Sequence, residues 1–568
     1  MQYVKLAFVA VLFAFMWSGP AFHAAWAEET AAIPVTILID ASRPKGQLTP
    51  IWRFFGYDEC NYTYMKDGQK LLTEISRLEP HPIYIRCHHL FTSGDGSPAL
   101  KWGSTNIYTE DTNGKPVYDF TIVDKIFDTY IQRGLKPYAQ LGFMPKDLST
   151  HPELYPKNID PDKRISGDEG VAYPPKDYNK WRELARQWVL HCIQRYGKEE
   201  VNSWYWEVWN EPNISYWRGT REEYYKLYDY AVDGIRSALP TARVGGPETA
   251  GDARYTTRFL EHCAHGTNYA TGKPGVPLDF ISFHAKGNPK FVDGHVRMGI
   301  GDQLTVIDRN FAAIAAFPEL KNIPIVIGES DPDGMAARLP TESPAVGYRN
   351  TTLFSSYTAD CIAREYDIAD DRGVNLEGAL TWSFEFENKP YFPGFRVLSS
   401  NGIDHPVMNV FRMLSKMSGE RLAVDSSAAI ATREIASKGV RQQPDISALA
   451  ATNEKEKAVT VLAWNYHDDD VAGPSAAVTL NLHHLPNSSG AATLTQYRID
   501  ETHSNAYTVW QKMGSPQNPT PDQYKELEQA GQLAAFGEPE QVRIEDGNAS
   551  VQLTLPPHAV ALLVFSLR

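Results

Sequence analysis

The chain has 568 residues, of which 42% are hydrophobic, 12% aromatic and 22% charged. This is the composition of a globular protein with room for two domains, and it excludes a disordered, collagen-like or low-complexity chain. The formal net charge is −14 and no basic block interrupts the acidic balance, so nucleic acid is excluded as a partner.

Residues 1–27 are predicted to form a secretory signal peptide. Lys5 precedes an apolar run over residues 6–17, and Ala25-Trp26-Ala27 has the small-x-small pattern of a cleavage site. The run is too short to cross a bilayer, which needs roughly 20 residues, and no later stretch is apolar enough to do so. We therefore expect a periplasmic or secreted protein that has no membrane contact after cleavage.

Residues 48–420 are predicted to form a (β/α)8 barrel, and the fold class is therefore α/β. Helical periodicity is clear over residues 122–131, 181–192 and 222–239. The apolar runs between the helices are continuous, which is typical of parallel strands buried on both faces. In such a barrel the active site lies at the carboxyl ends of the strands. The eight strand candidates are 51–57, 82–87, 136–143, 203–208, 243–246, 279–284, 324–328 and 378–384.

Residues 421–568 are predicted to form an accessory β-sandwich. The segments 458–465, 477–482, 492–498, 549–555 and 559–567 have the alternation or the length of short strands. Residues 28–47 also contain a strand pattern, and we expect that strand to join the sandwich.

Three aspartates and five cysteines have alternative interpretations. Asp468-Asp469-Asp470 is interpreted as a solvated turn rather than a calcium site, because no spaced set of ligands surrounds it. The cysteines are odd in number and lack C-x-x-C spacing, so neither a disulfide scaffold nor a zinc site is expected. Buried free thiols are favoured, with a Cys60–Cys87 bridge as the alternative.

Two predicted barrel strands are followed by glutamates. Strand four leads into Trp209-Asn210-Glu211-Pro212, and strand seven leads into Glu329. Because 118 residues separate the two glutamates, about three βα units, both carboxyls are expected at the same barrel opening. One protonated and one ionised carboxyl can together cleave a glycosidic bond. Glu207 lies within strand four and is interpreted as a buried polar residue of the barrel interior.

These motifs together resemble clan A glycoside hydrolases, and further stretches resemble family 39 of that group. The additional stretches are Ile85-Arg86-Cys87-His88-His89-Leu90, Val117-Tyr118-Asp119-Phe120, Leu141-Gly142-Phe143-Met144-Pro145, Val244-Gly245-Gly246-Pro247 and Ile281-Ser282-Phe283-His284. The resemblance extends over the whole chain after residue 27, including the accessory domain.

The resemblance implies a role for each matching residue. Glu211 would be the general acid/base and Glu329 the nucleophile of a retaining glycosidase that needs no cofactor or metal. The sugar site would be lined by His88, Phe143, Asn210 and His284, and floored by Trp382. Glu385 or Glu387 would bind hydroxyls, although their spacing from Trp382 is shorter than in typical family xylosidases.

Lys286 departs from many family xylosidases, which have Tyr two residues after the strand-six His. A lysine there is similar to the α-L-iduronidase branch, where a cation meets the substrate carboxylate. The order His284-Ala285-Lys286-Gly287 also resembles a bacterial β-xylosidase branch. An ion pair between Lys286 and Asp331 or Glu385 is the alternative interpretation of this residue.

The sequence thus predicts a retaining exo-β-xylosidase that acts on small xylo-oligosaccharides. The first alternative is the same mechanism on a uronic acid or an α-L-arabinoside. The second is a carbohydrate-binding protein without catalytic activity. Endo or exo action and the oligomeric state have no signature in the sequence.

Overall fold

A computed structural model of the protein describes residues 31–164, 170–486 and 489–567. The predicted signal peptide, residues 1–27, lies outside this part of the chain. Within the described part, no helix combines the length and the apolar character needed to cross a membrane.

The larger domain is a parallel barrel built from eight strand segments of the described chain. Its strands, numbered one to eight here, are Phe54–Tyr57, Tyr84–Cys87, Lys136–Leu141, Tyr205–Val208, Arg243–Thr249, Phe280–Lys286, Ile325–Asp331 and a last strand in two parts, Leu376–Ala379 and Thr381–Trp382. The first part of strand eight pairs with strand seven and the second part with strand one, which closes the barrel.

One long helix follows each barrel strand and covers its outer face. In chain order these helices are Lys66–Ile75, Thr121–Ile131, Tyr178–Tyr196, Arg221–Ala238, Ala253–His265, Ile300–Ala315, Thr352–Arg372 and Pro406–Leu414. The periodicity over 181–192 predicted the buried face of the third helix. The residues buried there have this spacing, and they are Trp181, Leu184, Ala185, Trp188, Val189 and Cys192. Shorter helices lie at Cys60–Tyr62, Pro152–Leu154, Lys198–Asn202 and Pro344–Asn350.

Small hairpins extend the loops of the barrel. They are Tyr108–Glu110 with Pro116–Tyr118, Lys290–Val292 with His295–Arg297, and Ser399–Ser400 with Ile403–Asp404. The second hairpin follows strand six directly, so it lies at the carboxyl end of the barrel, where a site is expected.

The second domain is a nine-stranded sheet, counted over the described residues. In spatial order its strands are Glu540–Glu545, Ser489–Ile499, Val560–Leu567, Ala458–Tyr466, Asp445–Asn453, Glu420–Ser426, Ile33–Gln47, Ala476–His483 and Ala549–Leu555. A tight turn joins the two edge strands, so the edges approach each other and the sheet folds over a core that includes Val461, Val478, Leu494 and Leu563. The predicted fold class, a (β/α)8 barrel with an accessory β-sandwich, is confirmed.

Strand Ile33–Gln47 pairs with Ala476–His483 in parallel and with Glu420–Ser426 in the antiparallel sense. Three helices of the second domain, Thr432–Lys438, Ala506–Lys512 and Pro521–Ala530, had no counterpart in the sequence-based prediction. The last two form an insertion whose Trp510 and Leu527 pack with Phe392, from the loop after strand eight. The accessory domain therefore supports a loop of the barrel.

The aspartate run is not a solvated turn, which corrects the sequence-based interpretation. Asp468 is buried and accepts hydrogen bonds from the Tyr466 hydroxyl at 2.7 Å and from the Val440 N–H at 3.0 Å. Asp469 pairs with Arg297 of the hairpin after strand six, with Nη2 3.1 Å from Oδ2. The run thus joins the accessory domain to a loop at the barrel opening.

All five cysteines are buried and free. The favoured interpretation, buried free thiols, is therefore confirmed, and the alternative of a Cys60–Cys87 bridge is wrong.

Candidate active site

Glu211 lies just beyond strand four, in a backbone segment that few side chains adopt without strain. Strand four ends at Val208, and Trp209 and Glu211 have φ angles of 74° and 46°. The N–H of Glu211 donates to the carbonyl of Glu248, at 2.9 Å. Because a left-handed backbone at a non-glycine residue costs about 1–3 kcal/mol, its retention next to a carboxyl at the barrel opening indicates a functional position.

Glu329 lies near the end of strand seven, across the opening from Glu211. Its side chain is 8% exposed and that of Glu211 is 13% exposed, so both are shielded but reachable from the same space. Both contact one atom, since Nδ1 of His284 lies 2.9 Å from Glu211 Oε1 and 3.6 Å from Glu329 Oε1.

That shared contact limits the separation of the two carboxylates. The two oxygens can be no farther apart than the sum of their distances to the imidazole nitrogen. Carboxyl groups are about 5–5.5 Å apart in retaining glycosidases and roughly 6.5–9.5 Å apart in inverting ones. The upper limit set by His284 only reaches the lower end of the inverting range, so the arrangement favours retention.

Four basic side chains surround Glu329. Lys286 Nζ lies 2.6 Å from Oε2, while Arg86 Nη1 and His88 Nε2 lie 3.3 Å and 3.8 Å from Oε1, beside His284. Burial alone would disfavour the charged carboxylate, but His284, Lys286 and Arg86 outweigh burial and hold the pKa of Glu329 well below its usual range. Glu329 is therefore ionised at any ordinary pH, as a nucleophile must be.

Arg86, on strand two, links the residues at the ends of strands four and seven. Its Nε contacts both carboxylate oxygens of Glu207, at 2.8 Å and 3.1 Å, and its Nη2 donates to Asn210 Oδ1 at 2.9 Å. Glu207 is fully buried, as the sequence predicted. Because Arg86 occupies the amide oxygen of Asn210, the amide nitrogen is left to face the cavity.

Trp382 and His88 form the floor of the site around one buried carboxylate. Asp58 accepts hydrogen bonds from Trp382 Nε1 and Lys101 Nζ, at 2.9 Å and 2.6 Å, and its Oδ1 lies 2.9 Å from His88 Nδ1. A Cβ on Gly56 would lie 2.5 Å from the Trp382 ring, so only glycine leaves room for the indole. The sequence analysis did not identify Asp58 as part of the site.

His88 also presents a free ring nitrogen to the cavity. Burial lowers the pKa of His88 and outweighs the opposing effect of Asp58, so the ring is neutral. With Nδ1–H donated to Asp58, Nε2 carries a lone pair, and no hydrogen bond from the described residues reaches it. A sugar hydroxyl could donate to this atom.

A single cavity of about 430 Å³ opens over these groups. This volume is within the range of small-molecule sites, about 300–1,000 Å³. The lining residues share the barrel's carboxyl end, and they are His88, Lys101, Arg164, Asn210, Glu211, Ile214, Ser215, Tyr216, Lys286, Glu329, Gly334, Ala336, Trp382 and Arg396. No group of three or more His, Cys, Asp or Glu side chains in the described chain is arranged to hold a metal ion.

The sequence profile described as "Glycosyl hydrolases family 39" matches residues 35–536, most of the chain. The chain belongs to glycoside hydrolase family 39.

Relatives and solved structures agree with this membership. A β-xylosidase of Caldicellulosiruptor saccharolyticus is 28% identical over 540 residues, which cover 92% of this chain and 97% of that protein. An α-L-iduronidase of Mus musculus is 26% identical over 543 residues, covering 88% and 76% of the two chains. The structure of a monomeric β-xylosidase from Caulobacter crescentus CB15 superposes with a TM-score of 0.71 at 22% identity, covering 94% and 99%.

Most of the residues predicted for this family 39 site are brought together. His88, Asn210, Lys286 and Trp382 line the cavity beside Glu211 and Glu329. His284 lies behind the lining and contacts both glutamates. Lys286 pairs with Asp331, as one alternative predicted, and also with Glu329; no contact joins it to Glu385.

Besides His284, the predicted residues Phe143 and Glu385 do not line the cavity of this glycoside hydrolase. Phe143 is fully buried behind it, with its ring stacked 5.5 Å from that of Tyr216, so Tyr216 lines the wall instead. Glu385 is buried, and its carboxyl accepts from the Ser399 hydroxyl and from the Asn401 N–H. Phe143 therefore supports the wall from behind, whereas Glu385 is bound to the hairpin that follows strand eight.

Several contributors to the family 39 site were missed from the sequence. Asp58, Lys101, Glu248 and Arg396 carry no signature in their local spacing, because each reaches the site from a different strand or loop. Arg396 lines the cavity and lies 3.6 Å from Asp331, with its Nε donating to the Trp382 carbonyl at 3.1 Å. Glu248 directly follows Gly245-Gly246-Pro247, one of the stretches that resemble family 39, and this position was the signal in the sequence that could have identified it.

Proposed function

We propose that this protein is a retaining exo-β-xylosidase that releases xylose from the non-reducing end of small xylo-oligosaccharides. The observation that carries the proposal is the contact of Glu211 and Glu329 with the same His284 nitrogen over one cavity. It supports a double-displacement reaction, in which both carboxyls act on one sugar carbon.

In the first step Glu329 attacks the anomeric carbon and the bond from that carbon to the leaving oxygen breaks. Glu211 gives its proton to the leaving oxygen, so that a neutral alcohol departs and a glycosyl ester of Glu329 remains. His284, Lys286 and Arg86 favour the ionised carboxylate over the protonated one before the attack.

In the second step water attacks the same carbon and the ester bond to Glu329 breaks. Glu211, now ionised, takes the proton from the water, and both glutamates return to their starting states. Each step inverts the anomeric centre, so the product has the configuration of the substrate.

Substitution of the two glutamates tests the reaction. Glu329→Gln should lower kcat by roughly 10⁴-fold or more while leaving sugar binding nearly intact. Glu211→Ala should lose about 10²–10⁴-fold on poor leaving groups, and azide should restore turnover by replacing water as the nucleophile. Wild-type protein that binds xylose but hydrolyses no aryl glycoside would leave the carbohydrate-binding alternative standing.

The choice of xylose is supported by two β-xylosidases among the relatives, of which the matches cover 85% and 97% of the length. A panel of aryl β-xyloside, α-L-arabinoside, β-glucoside and α-L-iduronide, ranked by kcat/KM, tests it directly. Product anomers followed by NMR test retention, and the products of xylopentaose test exo action. A β-xyloside ranked below another sugar would refute the substrate assignment.

A uronic acid is the second candidate substrate, and the cations of the cavity favour it. Lys101, Lys286 and Arg396 line the cavity, and relatives include α-L-iduronidases. Each of these three cations already faces a carboxylate of the protein, whereas Arg164, the fourth cation of the lining, is in no ion pair with the described residues. Lys286→Tyr should lower kcat/KM for an α-L-iduronide far more than for a β-xyloside if the uronic acid is the substrate.

We further propose that the protein is exported to the periplasm or the medium by cleavage after Ala27. The apolar run and the small-x-small pattern of the first 27 residues support this. The amino-terminal sequence of protein recovered from the periplasmic fraction should begin at Glu28. Activity confined to the cytoplasm would contradict it.

A further inference from the structure

Glu248, on strand five, is a buried carboxylate that contacts both the acid/base residue and its histidine. Its Oε2 lies 2.9 Å from His284 Nε2, and its backbone carbonyl accepts from the Glu211 N–H at 2.9 Å. Its Oε1 accepts from the Tyr138 hydroxyl at 3.0 Å. Glu248 has no exposed surface, so it cannot touch a substrate and acts only through its neighbours.

The surrounding backbone is adapted to this carboxylate. Glu248 itself has a φ of 52°, a strained value for a non-glycine residue. A Cβ on Gly328, one residue before the nucleophile, would lie 1.9 Å from Glu248 Oε2. The absence of a side chain at Gly328 therefore leaves the space that the Glu248 carboxylate fills. The strained backbone of Glu248 and the glycine at position 328 together accommodate one buried charge.

We propose that Glu248 is the positioning residue of the proton donor, since its carboxylate keeps His284 protonated on both ring nitrogens. The ring then donates Nδ1–H to Oε1 of Glu211, and the acidic proton of Glu211 is confined to Oε2, where the substrate can receive it. This inference rests on the proposed role of Glu211 as the acid.

The alternative protonation state shows why this matters. A neutral His284 would keep its proton on Nε2, against Glu248, and turn a lone pair toward Glu211. Protonated Glu211 would then donate from Oε1 to that lone pair and lose the proton from the substrate side. Within the described chain no hydrogen bond reaches Glu211 Oε2, so this atom is available to the leaving oxygen.

The charges around the pair agree with this arrangement. Burial disfavours imidazolium, but Glu329, Glu211 and Glu248 outweigh burial and raise the pKa of His284 to about 9. Lys286, on the same strand, is turned to the other oxygen of Glu329.

Glu248 is the charged member of a carboxyl pair with Glu207. Burial and the neighbouring Glu248 raise the pKa of Glu207 well above its usual range, despite Arg86. Burial opposes ionisation of Glu248 as well, but Arg86, Glu207 and His284 outweigh it and lower the pKa of Glu248 to about 2. Tyr138 donates to the same carboxylate, so the negative charge stays on Glu248.

Glu248→Gln tests the proposal, because it keeps the shape of the side chain and removes its charge. The measurement is kcat/KM at pH 7.5 for 2,4-dinitrophenyl β-xyloside, whose leaving group needs no proton, and for phenyl β-xyloside, which needs one. We expect a loss of about 10–100-fold on the phenyl glycoside and less than about threefold on the dinitrophenyl glycoside. Equal losses on both, or no loss, would overturn the proposal.

Glu207→Gln is the matched control. It makes the same substitution on the adjacent strand, at a carboxyl that is already neutral, and it loosens Arg86 without removing the charge of Glu248. We expect it to change both rates by the same factor. Wild-type protein that hydrolyses neither glycoside would refute the proposed function instead, so the two failures are distinguishable.

A second test measures the protonation of the His284 ring directly in the wild-type protein, so it does not depend on the folding of a Glu248 variant. In wild-type protein labelled with ¹⁵N-histidine, the His284 ring should show two protonated nitrogens at pH 7.5. Its signals are identified by their absence from His284→Gln. One protonated and one bare nitrogen at this pH would overturn the proposal.

Discussion

Lys286 Nζ lies 2.6 Å from Oε2 of Glu329, and the same ammonium is paired with Asp331. The ion pair with Asp331 therefore keeps the Lys286 ammonium next to the carboxylate of Glu329. This geometry assigns Lys286 an effect on the ionisation of Glu329 whatever its effect on a substrate, because a cation at this distance stabilises the ionised form.

Lys286→Met should move the acidic limb of the kcat/KM profile to higher pH. The lysine is one of the cations that hold the pKa of Glu329 below its usual range, so Glu329 stays ionised as the pH falls. Without it, protonation begins at higher pH, by about one unit or more. Lys101→Met is the control, since Lys101 pairs with Asp58 and should leave the limb in place. An unmoved limb in Lys286→Met would contradict the assignment.

Trp382→Phe should lower kcat/KM by about 5–10-fold, mainly through weaker binding. The change removes the Nε1–H that Asp58 accepts at 2.9 Å and shortens the floor of the cavity. Trp464→Phe is the matched control, because it removes an indole–carboxylate hydrogen bond to Asp445 of 3.0 Å in the accessory domain. It should lower Tm but not the affinity for xylose, measured as a competitive inhibitor. Equal affinity losses in both variants would contradict the role of Trp382.

Gly56→Ala should be more harmful than Trp382→Phe. Its new Cβ would lie 2.5 Å from two carbons of the indole, which cannot be accommodated without moving the ring or strand one. We expect kcat/KM to fall by more than about 10-fold and stability by about 1–3 kcal/mol. Gly347→Ala, whose Cβ would meet nothing nearer than 3.5 Å, is the control for added volume. A Gly56→Ala enzyme with wild-type kinetics would show that this close approach is unimportant.

Asp468→Asn should stabilise the protein at pH 7.5 by no more than about 3 kcal/mol, with the gain vanishing near pH 4. Burial raises the pKa of Asp468 to about 6, against the effect of the Tyr466 hydrogen bond. The folded state therefore takes up a proton between about pH 4 and 6 that the unfolded state does not, and stability falls as pH rises through that window. An asparagine carries no charge, and it can accept from the Val440 N–H through its amide oxygen while its amide N–H donates to the Tyr466 hydroxyl oxygen.

Thermal unfolding at several pH values measures the effect of Asp468→Asn. Asp469→Asn should behave oppositely, since it weakens the pair with Arg297 and lowers Tm at pH 7.5. A uniform loss of stability in Asp468→Asn at all pH values would contradict the linkage.

The barrel was predictable because each of its strands can be recognised from its own local sequence. Continuous apolar runs and helices with a 3.6-residue period are local patterns, and the face of helix Tyr178–Tyr196 followed from its periodicity. The helical insertion after strand Ser489–Ile499 was missed because its apolar residues face the barrel, a surface that local periodicity does not reveal.

The site was predictable only in part. Glu211 follows strand four and Glu329 lies near the end of strand seven, so the two had to meet at one barrel end. Phe143 and Glu385 also follow strands, yet neither lines the cavity, since Phe143 packs behind Tyr216 and Glu385 is bound to Ser399 and Asn401.

The amino-acid sequence by itself determined the strand ends and the residue types placed there, since backbone periodicity and turn residues act over a few positions. Tertiary structure alone decided which charges face one another. Asp58, Arg86 and Glu248 come from strands one, two and five, and only barrel closure places them around His88, Glu329 and His284. Electrostatic effects depend on distances of a few ångströms between segments far apart in the chain, and these distances follow from packing rather than from sequence spacing.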